Sequence, residues 1–439
     1  MLRRLDLRGQ SADHRALRAV LPRADAGGEG PVAAVRAILD EVRRDGDAAV
    51  RSLTERFDGV DLAQPRVPDA ELAAALARIP GPLRAALEEA RDAIVEFHRT
   101  QRHEPHEHRR GGVAVRSVAV PVDRAGCYVP GGRAVYPSTV LMTALPAVVA
   151  GVGEVVVCVP PDRDGRVPDA TLAACALAGV REVHRIGGAQ AVAAMAFGTE
   201  SVAPVDVIVG PGNVYVALAK REVAGMGVVG VPGAFAGPSE VVVLADDSVP
   251  ADVVAVDVAL QAEHGPHGLA WLVTWDEKVA DAVGDALSDL VARSPRRAEL
   301  EATLGDAGWA VLCDGPEQAV AVANAVAPEH LELLLAAPDA LVPLVRHAGA
   351  VFTGPWAPAS VGDYLAGPSH VLPTAGSARW SQALTVADFT KQVHVISLDR
   401  DGLARVAPHV VALAEAEGLP AHADSVRIRL ERGEEGSWA

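Results

Sequence analysis

The chain has 439 residues, too many for one small core, and half of them are hydrophobic, so it can bury the interiors of about two or three domains. Fifty-seven acidic residues against 40 Lys and Arg give a formal net charge of -17, which argues against a nucleic-acid partner, because phosphate binding needs a positive surface. Cys127, Cys158, Cys175 and Cys313 are widely spaced with no C-x-x-C pair, the pattern of buried thiols in a reducing compartment. The start "MLRRLDLRGQSADHR" has no apolar signal core, and no apolar run is long enough to span a bilayer, so a cytoplasmic protein without a membrane partner is expected.

Along the chain, residues 31 to 110 read mostly as helices, with apolar spacing in "VAAVRAILDEVRRDGDAAV" and "PLRAALEEARDAIVEFHRTQ". From residue 113 the pattern changes. Val-rich runs such as "EVVVCVP" and "DVIVG" alternate with Ala-rich helical stretches such as "DATLAACALAG" and "AQAVAAMAFG", the mark of βαβ units around a parallel sheet. A second series of the same build follows Pro238, from "EVVVLAD" to "GAVFTG". The predicted fold class is α/β: two Rossmann-like lobes with parallel sheets flanked by helices, a helical N-terminal segment and a small C-terminal tail. The Gly- and Pro-rich "GAFAGPSE" is the candidate join. After about residue 385 a strand, "VHVISL", a helix and a charged end make a tail too small to fold alone, which should dock on another lobe or subunit.

Several motifs carry ligand-type residues. The literal G-x-G-x-x-G at Gly225, Gly227 and Gly230 follows a helical run and opens no helix, so it reads as a loop. Of "YVPGGRAVYPS", "GGAQAVAAMAFGTE" and "GPGNVYV", two are expected strand-to-helix junctions with glycines. Exposed amides there suit phosphate or ribose oxygens, and ordinary tight turns fit the same pattern. In "QAEHGPHG", Gln261 and His264 are three apart on a helix, with Asp257 a turn earlier and His267 beyond Gly265 and Pro266. That is a metal pair or a polar helix end. The run "HRTQRHEPHEHRR" crowds His98, His103, His106 and His108 among arginines that repel a cation, and reads as a solvated loop. Glu329 and His330 in "APEHLEL" are an adjacent pair able to act as general bases, and "VGDYLAGPSH" adds Asp363 and His370; solvated polar side chains fit either motif equally well.

The strings "CYVPGG", "GGAQAVAAMAFGTES", "VGPGNVYVALAK", "AGPSEVVVLAD", "QAEHGP", "PEHLEL", "GDYLAGPSHVLPT" and "ADFTKQ" stand in the order seen in histidinol dehydrogenases, and the resemblance runs from the N-terminal helices to "GLPAHADSVRIR". It implies an enzyme of histidine biosynthesis that oxidises L-histidinol through the aldehyde to L-histidine in two NAD+-linked steps, with one Zn2+ per subunit. Matched by motif, the metal ligands would be Gln261, His264, Asp363 and His422, and the catalytic bases Glu329 and His330. Ser239 and Glu417 match substrate positions shared with Gln261, His264, His330, Asp363 and His422, while Tyr128, Gln190 and Asn213 match NAD contacts. His370 receives no role.

The resemblance also implies a homodimer in which Glu417 and His422 of one chain complete the other's site. The expected organisation is an N-terminal segment over 1–30 and a discontinuous metal and substrate lobe over 31–135 and 239–385. An NAD-binding lobe spans 136–238 and a dimerisation tail 386–439. Two departures stand out: "VGVPGAF" replaces an acidic-aliphatic stretch, with Gly233 near the acidic position, and Val207 stands where a Lys is common. The rival readings are a related zinc- and NAD-dependent dehydrogenase of another small polar alcohol, a metal-dependent hydrolase, and a non-catalytic two-lobed binding protein.

Overall fold

A computed structural model describes residues 1–22, 31–131, 134–232, 237–265 and 268–434. His267, Gly233 and most of the expected join at "GAFA" lie outside the described residues. In chain order the elements begin with β1 (Arg3–Asp6), α1 (His14–Val20), α2 (Val32–Asp58), α3 (Asp69–Arg78) and α4 (Gly81–Arg99). Next come β2 (His106–Arg110), β3 (Val113–Pro121), β4 (Arg124–Tyr128), α5 (Pro137–Ala150), β5 (Glu154–Val159), α6 (Asp169–Leu177), β6 (Glu182–Arg185), α7 (Gly188–Phe197), β7 (Val207–Val209) and α8 (Val214–Gly225). The second series is β8 (Glu240–Ala245), α9 (Ala251–Leu260), β9 (Leu269–Thr274), α10 (Glu277–Arg293), α11 (Arg297–Ala307), β10 (Gly308–Leu312), α12 (Pro316–Val326), β11 (His330–Leu334), β12 (Ala350–Thr353) and α13 (Ala359–Tyr364). The chain closes with β13 (Thr390–Leu398), α14 (Arg400–Ala416) and α15 (Pro420–Glu434).

The chain divides into two compact units, one of residues 1–101 with 122–389 and one of 102–121 with 390–439. The larger unit holds both α/β lobes. Its first sheet is parallel, in the order β6-β5-β4-β7, and its second is parallel in the order β1-β10-β9-β8-β11-β12. The run β10-β9-β8-β11 repeats the order β6-β5-β4-β7, so each lobe starts in the middle of its sheet, builds outward and then jumps back to the other side. Such parallel strands are covered on both faces, which is why they read as unbroken Val and Leu runs; every residue of β8 and β9 is buried.

Three expectations about organisation are corrected. The helices of residues 31–100 cover the first sheet, not the second. Val35, Leu39, Val50 and Leu53 of α2 pack with Val156 and Ile208 on one face, and Leu72, Leu87 and Ile94 pack with Cys127 and Val157 on the other. Because β4 lies inside this sheet, the first lobe begins well before residue 136. The N-terminal segment is not separate either, since β1 pairs with β10 in parallel and adds an edge to the second sheet. Finally, Val371, Leu384 and Phe389 belong to the core of the first lobe.

The smaller unit is an antiparallel sheet in the order β13-β3-β2 with α14 and α15 packed on each other. The tail therefore finds its partners about 280 residues upstream, where Val113 to Pro121 pair with Leu398 to Thr390. This also corrects the reading of the histidine-rich run. His98 ends α4 fully buried, with Nδ1 2.8 Å from the Ile94 carbonyl, and His106 and His108 lie on an exposed strand. Among the described residues, no helix is long and apolar enough to cross a membrane.

Candidate active site

In the second lobe the ligand-type residues gather at the amino ends of the strands. Glu240 opens β8, His330 opens β11 directly after Glu329, and Gln261 ends α9 where that helix returns to the same edge. The segment before the pair is strained. Ala327 caps α12 with φ 56°, a left-handed conformation that costs a non-glycine residue about 1 kcal/mol.

Glu240 and Glu329 hold each other across the two strands. The Glu240 amide donates to Glu329 Oε2 at 2.9 Å, and the Glu329 amide donates back to Glu240 Oε2 at 3.3 Å. The other Glu240 oxygen accepts from the Ala375 amide at 2.8 Å. The Glu240 main-chain carbonyl lies 3.0 Å from His330 Nδ1; a carbonyl only accepts, so Nδ1 carries the hydrogen and Nε2 faces the site. Burial pushes the Glu240 carboxyl up to about 8, and the neighbouring Glu329 charge acts in the same direction. Sequence reasoning missed Glu240. Its one signal was a carboxylate leading an otherwise all-aliphatic strand, "EVVVLA".

His330 lies between two carboxylates, Glu329 Oε2 at 3.5 Å from Nδ1 and Asp363 Oδ1 at 3.5 Å from Nε2. Burial alone would lower the proton affinity of this imidazole; the charges of Glu329 and Asp363 outweigh it and hold it well above its ordinary value. The ring stacks near Phe352, with centroids 6.0 Å apart and planes at 24°. On its other oxygen Asp363 accepts from Gln261 Nε2 at 3.0 Å. Burial opposes the charge on Asp363, but the His330 contacts prevail and its carboxyl sits below the usual range.

His264 closes the short 3-10 turn that follows Gln261, with Nδ1 3.0 Å from Ser239 Oγ, and its side chain is exposed. His370, assigned no role from sequence, bridges the lobes. Its Nδ1 lies 3.0 Å from the Asp363 carbonyl and its Nε2 3.2 Å from Thr139 Oγ1 at the start of α5. The structure therefore brings together Ser239 with His264, and Gln261 with Asp363, His330 and Glu329. Glu417, at the end of α14, and His422, in α15, lie in the smaller unit and are exposed.

Among the described residues, no group of three or more His, Cys, Asp and Glu side chains is placed to hold a metal ion. The mixed set nonetheless suits one. Gln261 and Asp363 already touch, and turning the Gln261 amide over would place two oxygens side by side. An imidazole on the adjoining turn adds the nitrogen that zinc accepts with oxygen ligands.

In the first lobe the cofactor-type residues stand at the carboxyl ends of the strands, where open α/β sheets bind nucleotides. Tyr128 ends β4, and Asn213 follows β7 and caps α8, accepting from the Tyr215 and Val216 amides at 3.0 and 3.2 Å. Because β4 and β7 are neighbours and β5 departs from the other side of β4, these two residues flank the point where the sheet order reverses. Tyr128 is buried, its Oη accepting from the Gly188 amide at 3.1 Å. Gln190, one turn into α7, is 1% exposed, and its Oε1 is buried with no partner among the described residues, an orphaned acceptor beside a helix start. Val207, where a Lys was noted as common, is simply a buried residue of β7. The G-x-G-x-x-G is a loop, as read: Gly225 ends α8 and Gly230 bridges to Val207.

A family model described as histidinol dehydrogenase matches residues 22–430. The chain belongs to the histidinol dehydrogenase family. It is 51% identical over 399 residues to a histidinol dehydrogenase of Parasynechococcus marenigrum (strain WH8102), covering 90% of each chain. It is 47% identical over 406 residues to one of Moorella thermoacetica, covering 92% of this chain and 95% of that one. The crystal structure of histidinol dehydrogenase from Elizabethkingia anophelis superposes with a TM-score of 0.92 at 31% identity over 99% of both chains. Membership of the histidinol dehydrogenase family makes the chain an NAD-linked dehydrogenase, which fits a first lobe built in nucleotide-binding order.

Proposed function

We propose that this chain oxidises L-histidinol through the aldehyde to L-histidine with NAD+, using one zinc ion per subunit. The observation that carries the reading is the His330 imidazole fixed by the Glu240 carbonyl between Glu329 and Asp363, beside Gln261, in a chain of this family. Gln261, His264, Asp363 and His422 would hold zinc; Tyr128, Gln190 and Asn213 would hold NAD+. When bound, zinc supplies a charged template for the substrate's nitrogen donors, and NAD+ supplies the hydride acceptor.

The chain's own groups do the rest. His330 Nε2 is directed into the site and takes the carbinol proton, and flanking carboxylates make it a strong acceptor once its own proton has passed on. Glu329, with Oε2 3.5 Å from Nδ1 of the same ring, activates the water that hydrates the aldehyde for the second oxidation. Ser239 and Glu417 bind polar groups of the substrate. Keeping both steps in one pocket protects the aldehyde from side reactions.

The direct test is NADH formation from L-histidinol by purified protein, before and after chelation and zinc restoration. Two NADH per histidinol, lost with the metal and recovered with zinc, is the expected result. No NADH from histidinol while the metal stays bound would turn the reading toward another small polar alcohol.

We also propose a homodimer whose sites take Glu417 and His422 from the partner's tail. In support, the smaller unit exposes apolar side chains, including Ile396 at 63% and Leu413 at 66%, more than a solvated surface needs. Sedimentation velocity should find a dimer, and a monomer with full activity would exclude shared sites.

A further inference from the structure

Asp257 and Glu332 are two carboxyl groups buried behind the site and used by none of the steps above, 5% and 0% exposed. Their side chains face each other within hydrogen-bonding reach. Glu332 Oε1 accepts from the Ala359 amide at 3.3 Å, while its Oε2 is buried with no donor among the described residues. Two ionised carboxylates have no hydrogen to offer each other, and a buried acceptor without a donor costs about 1–3 kcal/mol. One proton between them removes both problems, because O–H···O⁻ is among the stronger hydrogen bonds.

Each of the three elements meeting here carries a site residue at a spacing that shares a face. Asp257 is one helical turn before Gln261 on α9, Glu332 is two strand positions after His330 on β11, and Ala359 is one turn before Asp363 on α13. We propose that Asp257 and Glu332 are positioning residues sharing one proton, and that this bond clamps α9, β11 and α13 in the register that brings Gln261, His330 and Asp363 together. The inference rests on the reading of those three as active-site residues.

The charges acting on Glu332 are Asp257 from α9 and His330 from its own strand; the contribution of α13 is the Ala359 amide. Burial first, and then the Asp257 charge, push the Glu332 carboxyl up to about 9, and burial also raises Asp257. The folded chain therefore holds a proton that the unfolded chain, with an ordinary glutamate near 4.5, has released. The stability this adds is complete below the unfolded value and is lost as pH rises through the folded one, the sign expected for a raised pKa.

The test measures thermal midpoints across that pH window, together with kcat and KM for L-histidinol, in the full chain and in Glu332→Gln, Asp257→Asn and Glu332→Leu. Either amide keeps an N–H donor inside the pair at every pH. Both amide variants should flatten the fall of the midpoint with pH and remove the alkaline decline of kcat. Glu332→Leu leaves Asp257 without a donor and should lower kcat about tenfold, the rate equivalent of one lost buried hydrogen bond, with KM changing less.

A midpoint–pH slope unchanged by Glu332→Gln overturns the shared proton. Amide variants as impaired as Glu332→Leu, or both failing to fold, overturn the claim that a donor is what the pair requires. Should the wild-type chain make no NADH from L-histidinol, the functional reading falls, while the thermal slopes still decide the proton.

Discussion

His330→Asn is expected to lower L-histidinol turnover by about 10²–10⁴-fold, the usual worth of a positioned general base, while moving the thermal midpoint little. An asparagine amide can still donate to the Glu240 carbonyl that now lies 3.0 Å from Nδ1, so the local backbone keeps a partner. What it cannot do is take a proton at the position of Nε2. Glu329→Gln should divide the two oxidations: water activation needs a carboxylate, whereas removal of the carbinol proton is assigned to His330. Single-turnover NADH formation from the alcohol and from the aldehyde separates them, and equal losses in both would contradict the assignment. A rate loss in His330→Asn of less than about tenfold would remove His330 from the proton path.

Gly210→Ala should cost about 4 kcal/mol or more of unfolding free energy, and NAD binding should fail with it. Gly210 has φ 107°, a conformation that side chains rarely adopt, and a Cβ there would lie 2.0 Å from the Tyr128 carbonyl oxygen. That contact joins the ends of β7 and β4 at the reversal of the first sheet, so relief requires the two strands to part. The Gly210 carbonyl also accepts from Lys220 Nζ at 2.7 Å, a buried amine whose proton affinity burial lowers to about 8. Gly9→Ala is the control. It has φ 72° but nothing within 4 Å, so conformational strain alone should cost it about 1 kcal/mol. Denaturant unfolding of both variants compares clash plus strain with strain alone, and similar losses would show that the close approach at Tyr128 is absent.

The two α/β lobes and the family were legible because local pattern encodes them. Alternating Val-rich and Ala-rich runs report strands buried on both faces and the helices covering them, and the Glu-His pair and Gln-x-x-His spacing lie within single short segments. Where those segments meet was not legible. Gln261 touches Asp363 across 102 positions, and Glu240 clamps Glu329 across 89. Spacing also could not show that the candidate residues of the first lobe stand at the carboxyl ends of its strands and those of the second at the amino ends. That choice depends on the αβ turns at Gln261 and Ala327, whose direction is set by packing against the sheet.

By itself the sequence determined the strand and helix periods, the parallel α/β class and the residue types able to hold a cation, a nucleotide and a mobile proton. These follow from side-chain chemistry and from near-neighbour spacing. Only the tertiary structure decided which sheet the N-terminal helices cover, that β1 completes the second sheet, and that residues 113–121 pair with the tail. It also decided that Asp257 and Glu332 face each other behind the site. Apolar faces of similar period and composition can pack on either lobe. The choice between them lies in shape complementarity and in hydrogen bonds between residues far apart in the chain, which no short stretch of sequence contains.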